Sequence, residues 1–69
     1  MGLIDSYYKE TAAGSYRADI KFVEHQGFII EYYNPEGGLI KTEDHSGKSK
    51  YWVESTAQNW LAGIKVLNG

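Results

Sequence analysis

The chain is 69 residues long, and 42% of those residues are hydrophobic, including two Trp, six Tyr and two Phe. That length accommodates one small hydrophobic core, and the composition excludes an intrinsically disordered chain. The absence of Cys excludes disulfides and thiolate zinc sites, and a net charge of −2 from scattered side chains argues against the concentrated basic face of most nucleic-acid-binding proteins.

The order of the patterns predicts a single α+β domain. We expect a short N-terminal segment over residues 1–14, a three-stranded antiparallel sheet over 15–44, and a helix over 49–67 packed on one face of that sheet. In the N-terminal segment Leu3 precedes Tyr7, as Ile4 precedes Tyr8, by the four residues of one helical turn. The spacing favours a helical turn there, ended by a break at 11–14, and a strand or a disordered segment stays open.

Three runs with strand character follow, joined by short connections. The first, 16–25, alternates apolar with polar residues, and the second, 28–33, is rich in aromatic and β-branched residues. The loop at 34–38 contains Pro35 and two glycines, and the run at 39–44 is a short third strand. Short links between consecutive strands predict an antiparallel meander.

The helix has the clearest pattern in the chain. One apolar stripe at helical spacing is formed by Val53, Ala57, Trp60, Leu61, Ile64 and Leu67. Ser49 stands at the N-cap position, and Asn68-Gly69 is typical of a helix end. A start at Ser55, with Gln58 as its capping partner, is the alternative. We prefer Ser49, because a start at Ser55 leaves Val53 outside the helix.

The sheet face opposite the helix also carries apolar residues among its charges: Val23, Ile29, Tyr33 and Leu39. Two explanations are open. Either the N-terminal segment folds over this face, or the face is an interface with a second copy or with another protein.

Residues with catalytic chemistry are few. His25 and His45 are the only histidines, and Glu43-Asp44-His45-Ser46 reads as one contiguous turn whose side chains point in different directions. We therefore expect a non-enzymatic protein with no cofactor and no metal site.

The helix start has a local basic and aromatic character, carried by Lys48, Lys50, Tyr51 and Trp52. Lysines beside aromatic rings are the combination that binds single-stranded nucleic acids. Glu54, four residues after Lys50 on the same helix face, favours an internal ion pair instead.

The order of three strands followed by a helix, with Gly47-Lys48-Ser49-Lys50 at the helix start, resembles the C-terminal two-thirds of a double-stranded-RNA-binding domain. The resemblance implies that Ser49 and Lys50 occupy the positions of that family's phosphate-binding Ser and Lys. Tyr51 replaces a second expected Lys, and Glu54 reverses the charge of a further one.

The run from Phe28 to Ile64 also resembles small uncharacterised proteins of marine cyanophages, above all in Lys48-Ser49 and Trp52-Val53-Glu54. This resemblance covers about half the chain and implies a viral protein in a bacterial cytoplasm. A cytoplasmic location also fits the absence of Cys, of any apolar run near the roughly 20 residues of a membrane span, and of a signal pattern.

The leading functional hypothesis is a small non-enzymatic binding module that associates with itself or with another protein, without a membrane. Its interface is predicted at Val23, Ile29, Tyr33 and Leu39. The alternative is a weak nucleic-acid-binding module that uses Lys48, Lys50, Tyr51 and Trp52.

Overall fold

A computed structural model describes residues 2–64 as one antiparallel sheet and one helix. The sheet has four strands in the order β1-β2-β3-β4, so the α+β class is confirmed and the predicted number of three strands is wrong. The bounds are β1 Gly2–Thr11, β2 Gly14–Val23, β3 Gly27–Tyr33, β4 Leu39–His45 and α1 Lys50–Ala62.

The N-terminal segment is strand β1, and the predicted helical turn is wrong. It pairs with β2 along its whole length, from Gly2 opposite Phe22 to Thr11 opposite Gly14. The pairing shifts at Ile4, where β1 has an extra residue. A bulge of this kind changes which face the following side chains occupy, so the four-residue spacing there reflects neither a helix nor a regular strand.

A two-residue turn joins β1 to β2. Thr11 Oγ1 accepts a hydrogen bond from the Ala13 N–H (3.1 Å) and donates one to the Gly14 carbonyl (2.7 Å). Gly14 has a φ of 123°, and a Cβ at this position would lie 2.9 Å from the Cβ of Pro35. Both the backbone conformation and the close approach of the β3–β4 loop therefore require glycine.

Strands β2, β3 and β4 correspond to the three predicted strands with small changes in their bounds. Gly27, at φ 109°, follows the tight turn between β2 and β3. In the β3–β4 loop, the Asn34 side chain accepts hydrogen bonds from the N–H groups of Glu36 and Gly38. Ile40 is a bulged residue near the start of β4, because Tyr32 pairs with Lys41 and Tyr33 with Leu39.

Helix α1 begins where the preferred cap predicts. Ser49 Oγ accepts a hydrogen bond from the Trp52 N–H at 3.1 Å, so the alternative start at Ser55 is wrong. The helix ends at Ala62 with Gly63 as its C-cap, whose N–H bonds back to Asn59 and Trp60. The predicted extension to residue 67 is therefore wrong at 63–64, and Leu67 lies outside the described residues.

The core lies between one face of the sheet and α1. Fully or nearly fully buried are Ala18, Ile20, Ile30 and Tyr32 from the sheet and Val53, Ala57 and Leu61 from the helix. Trp60 packs against Tyr32, with the ring centres 4.2 Å apart. The helix contacts β1, β2 and β3 and lies largely clear of β4, so the helix side of β4 is left to polar groups.

Candidate interaction surfaces

The sheet face opposite α1, here called the open face, contains all four residues predicted as an interface. The strand register places Val23, Ile29, Tyr33 and Leu39 on this side. Because segment 2–11 is an edge strand of the same sheet, the expectation that it folds over this face is wrong. No helix or strand formed by residues 2–64 packs on the open face.

The four predicted residues differ in their exposure. Ile29 is only 8% exposed and Val23 and Tyr33 are half-buried, whereas Leu39 at the edge is 55% exposed. Strand β1 adds two exposed apolar residues to this face, Leu3 and Tyr8, the latter 63% exposed. The sequence interpretation missed both, because a helical segment gives no sheet face on which to place them.

Ion pairs occupy the centre of the open face. Asp19 and Glu31 are direct cross-strand partners, an arrangement that is unfavourable for two like charges unless each is neutralised. Arg17 Nε lies 3.1 Å from Asp19 Oδ1, and Lys21 Nζ lies 2.6 Å from Glu31 Oε1. Two cations therefore balance two carboxylates within one patch.

Hydrogen bonds and one ring contact complete this network. Ser6 donates to Asp19 (2.9 Å) and Tyr33 donates to Glu31 (2.9 Å). The Arg17 guanidinium lies 4.2 Å from the centre of the Tyr33 ring, a cation–π distance. Its buried Nε is within ion-pair range of Asp19 but without hydrogen-bond geometry.

The titration of Lys21 and Glu31 reflects their pairing. The hydrogen bond to Glu31 raises the pKa of Lys21, although burial opposes that shift. The hydrogen bond from Lys21 lowers the pKa of Glu31, again against the effect of burial. Both groups are therefore charged at neutral pH, and their charges cancel.

A second polar cluster lies on the helix side of β4. Tyr32 Oη donates to Glu43 Oε1 at 2.8 Å, His45 Nε2 lies 3.0 Å from the same oxygen, and Lys41 Nζ lies 3.0 Å from Oε2. The prediction that 43–46 is a turn with divergent side chains is wrong, because Glu43 and His45 belong to β4 and share a face. Since a carboxylate only accepts hydrogen bonds, His45 contributes its Nε2–H.

Glu43 is held ionised by these donors. Burial raises the pKa of Glu43, but the hydrogen bonds from Lys41, His45 and Tyr32 outweigh that effect and lower it to about 2. Burial and the hydrogen bond to Glu43 raise the pKa of the Tyr32 hydroxyl. Glu43 is therefore the shared acceptor of three donors, which makes the cluster a structural network.

Four rings form a line across one end of the sheet on the helix side, here called the aromatic row: Phe22, Phe28, His45 and Trp52. Phe22 and Phe28 are cross-strand partners with ring centres 5.2 Å apart, and Phe28 is in turn the partner of His45. The His45 ring lies 5.0 Å from that of Trp52 at the start of α1. Of these four, sequence reasoning singled out Trp52 alone as a binding residue.

Of the four residues predicted for nucleic-acid binding, Trp52 belongs to this row, and the other three, its neighbours in the chain, differ in their surroundings. Lys48 Nζ is 4.9 Å from the centre of the Trp52 ring. Lys50 Nζ is 3.6 Å from a Glu54 oxygen, as the spacing predicts. Tyr51 is 79% exposed, and the structure gives its ring no aromatic or cation partner within residues 2–64.

Within residues 2–64 there is no group of His, Cys, Asp and Glu side chains suited to hold a metal ion. No helix in that range has the length and apolarity to cross a membrane. No family model, curated protein or solved structure matches the chain. The resemblances to cyanophage proteins and to double-stranded-RNA-binding domains stay predictions; where the latter family has its first helix, this chain has β1.

Proposed function

We propose that the protein is a non-enzymatic self-association module whose open face packs against the open face of a second copy. One observation supports this most: in the part of the chain that the structure describes, the sheet has a helix on one face only. The other face exposes Tyr8 and Leu39 beside half-buried Val23 and Tyr33. Exposed aromatic and aliphatic side chains around a patch of this kind are typical of protein interfaces.

The open face has the dimensions of an interface. Four strands about 4.8 Å apart, with seven to ten residues each at about 3.3 Å per residue, form a surface of roughly 20 by 25–30 Å. A standard interface buries about 800 Å² of accessible surface on each partner. Because side chains project from the sheet, the accessible area of the open face is larger than this flat area. It is therefore comparable with the area that one partner of a standard interface buries.

The charge pattern favours a second copy over an acidic or basic partner. The four central charges, Arg17, Asp19, Lys21 and Glu31, sum to zero, and each of them is paired. Two further carboxylates on this face, Glu10 and Asp44, are exposed on the edge strands β1 and β4, at the rim of such an interface. A two-fold interface places the same patch on both sides, which is unfavourable for a patch of one sign and acceptable for a neutral one.

The small size of the domain also favours self-association, because such a domain gains little stability from its own core. A domain below about 70–80 residues rarely gains more than about 3–5 kcal/mol from a single core and often relies on disulfides, metals or oligomerisation. This chain has no Cys, and within residues 2–64 seven buried residues form the core cluster. Association through the open face would supply the second apolar layer that the sheet lacks.

The test is a matched pair of substitutions on exposed tyrosines. Tyr8→Lys places a charge on the open face, and Tyr51→Lys adds the same charge at the start of α1. In sedimentation velocity at several hundred μM, on the order of a weak dimer constant, we expect a dimer for the parent chain and for Tyr51→Lys and a monomer for Tyr8→Lys. Leu39→Lys should act like Tyr8→Lys.

Far-ultraviolet circular dichroism controls for folding, because both tyrosines are exposed and their replacement should leave the spectrum unchanged. A parent chain that is monomeric at this concentration would overturn the proposal. So would Tyr8→Lys and Leu39→Lys variants that are folded and as large as the parent.

A further inference from the structure

The aromatic row is separate from the open face, because its side chains lie on the helix side of the sheet. Its two ends are accessible: Phe22 is 43% exposed and Trp52 is 41% exposed. Between them, Phe28 and His45 are half-buried. An exposed phenyl and an exposed indole at the ends of one line of rings are more than core packing requires.

The spacing of the row suits flat ligands. The row runs from β2 across β3 to β4, which is about 10 Å for two strand spacings. From His45 on β4 the ring of Trp52 lies a further 5.0 Å away. Neighbouring rings meet at steep angles, 70° for Phe22 with Phe28 and 61° for His45 with Trp52. Phe28 therefore packs against the terminal ring of Phe22, and His45 packs against that of Trp52, which limits the orientations of both terminal rings.

Two lysines lie at the Trp52 end of the row. Lys48 lies over the Trp52 ring and has no ion pair with any residue in the range 2–64. Lys50 has only a 3.6 Å contact with Glu54 between partly exposed side chains, which contributes little and opens readily. On the helix side of β4, Glu43 forms an ion pair with Lys41 and is hydrogen-bonded to His45. Glu24, two residues after Phe22, has no ion pair within residues 2–64, so the Trp52 end is the favourable end for a phosphate.

We propose that the aromatic row binds single-stranded nucleic acid, with bases stacked on Trp52 and Phe22 and with Lys48 in contact with a backbone phosphate. Single-strand binding combines aromatic rings for the base faces with cations for the backbone, and the Lys48–Trp52 pair brings both within 4.9 Å. A duplex hides its base faces, and an acidic peptide has carboxylates for Lys48 but no flat groups for the rings.

The binding should be weak and sensitive to salt. The chain has a net charge of −2, so its overall field opposes a polyanion. Contacts to one or two phosphates give a log–log dependence of affinity on salt with a slope of about −0.7 to −1.4 for a single strand. We expect a dissociation constant on the order of 10–100 μM at about 50 mM salt, within the range of non-specific binding.

The experiment measures the fluorescence anisotropy of a labelled, unstructured oligothymidine titrated with the full chain. Lys48→Glu and Trp52→Ala should each weaken binding by about fivefold or more, as expected for the loss of one phosphate or one stacking contact. Lys9→Glu is the matched control for charge, because Lys9 pairs with Tyr16 towards the other end of the sheet. Tyr8→Ala is the control for loss of an exposed ring on the opposite face.

A second readout uses Trp60→Phe, which leaves Trp52 as the only indole. Stacking on Trp52 should then quench the remaining fluorescence in step with the anisotropy change. Tyr8→Ala, which leaves the net charge unchanged and removes a ring of the open face, should bind oligothymidine as the parent does. Failure of the self-association proposal therefore leaves this one testable.

Three results would overturn the inference. The first is no anisotropy change for oligothymidine up to about 100 μM protein. The second is equal binding by the parent chain, Lys48→Glu and Trp52→Ala. The third is equal competition by duplex DNA or by polyglutamate, which would identify a general polyanion surface or an acidic protein partner instead of a base-stacking site.

Discussion

The two faces of the sheet carry different chemistry although they share every strand. The face under α1 buries Ile20, Ile30 and Tyr32 completely, and its polar cluster lies at β4, where the helix ends its coverage. The open face instead holds Lys21 and Glu31 as a close ion pair at its centre. The helix therefore decides where a dry core forms, and the uncovered face is stabilised by neutralised charges with apolar residues around them.

The largest expected difference in the free energy of unfolding is between variants of two neighbouring isoleucines on opposite faces. Ile30 is completely buried under α1, so Ile30→Ala should cost about 2–5 kcal/mol and leave so small a domain largely unfolded. Ile29 on the open face is 8% exposed, but no helix or strand of residues 2–64 packs over it, so Ile29→Ala should cost about 1–2 kcal/mol at low protein concentration. Urea denaturation of both variants measures the difference, and equal losses would mean that the open face is covered within the monomer.

The neighbouring tyrosines Tyr32 and Tyr33 form a second pair of the same kind. Tyr32 is completely buried, and Tyr32→Phe removes its part-buried hydrogen bond to Glu43, which should cost about 1–2 kcal/mol. Tyr33→Phe removes a part-buried bond to Glu31, whose oxygen keeps Lys21, and should cost about 0.5 kcal/mol. Thermal unfolding of the two variants distinguishes them, and a larger loss for Tyr33→Phe would contradict the assignment of the core.

The helix could be predicted from sequence because its signals are local. The stripe that includes Val53, Ala57 and Leu61 has the helical period, and Ser49 provides its own cap. The end at Gly63 was missed because apolar residues continue beyond it in the sequence. Periodicity extends a helix past a glycine that in fact ends it.

Strand β1 could not be predicted because its determinants are not local. Tyr7 and Tyr8 place one tyrosine on each face, so no alternation of apolar and polar residues marks a strand. The bulge at Ile4 also breaks the period of two. Pairing with β2 overrides the helical spacing, and that pairing is visible only in the folded chain.

The candidate surfaces were predicted in part. The alternation of β2 and β3 assigned Val23, Ile29 and Tyr33 to one face, which the register confirms. The ion pair between Lys21 and Glu31 is diagonal and depends on that register, so it could not be read from spacing. The link between Phe22 and Trp52 requires three strands and the helix start to meet, which sequence proximity does not indicate.

Acid should destabilise the folded protein by protonating Glu43 on the helix side of the sheet. Its folded pKa of about 2 is below the ordinary value of 4.5, so the stability from the ionised group is fully present above about pH 4.5 and is lost as the pH falls towards 2. Because the Glu43 side chain is partly exposed, solvent screens its contacts, and the expected loss in the free energy of unfolding is about 1–2 kcal/mol. The melting temperature should fall as the pH is lowered from 4.5 towards 2, and it should fall less steeply for the Glu43→Gln variant. An identical pH profile for the variant would show that Glu43 is not held by its donors.

The start of the helix is tested by replacing its N-cap residue. Ser49→Ala removes the hydrogen bond to the Trp52 N–H and should lower stability by about 1 kcal/mol. Ser49→Asp keeps an acceptor at the cap and should retain the parent stability. Chemical denaturation checks both, and a Ser49→Ala variant as stable as the parent would argue for a different helix start.

The most direct test of the account follows the side-chain methyl groups by NMR as the protein is diluted. From about 1 mM to about 10 μM, a range that spans a weak dimer, the methyl signals of Ile29 and Leu39 on the open face should shift. Those of Ile30 and Val53 on the covered face should stay constant, because α1 belongs to the same chain. Constant signals for Ile29 and Leu39 over this range, or equal shifts for Ile30 and Val53, would contradict self-association through the open face.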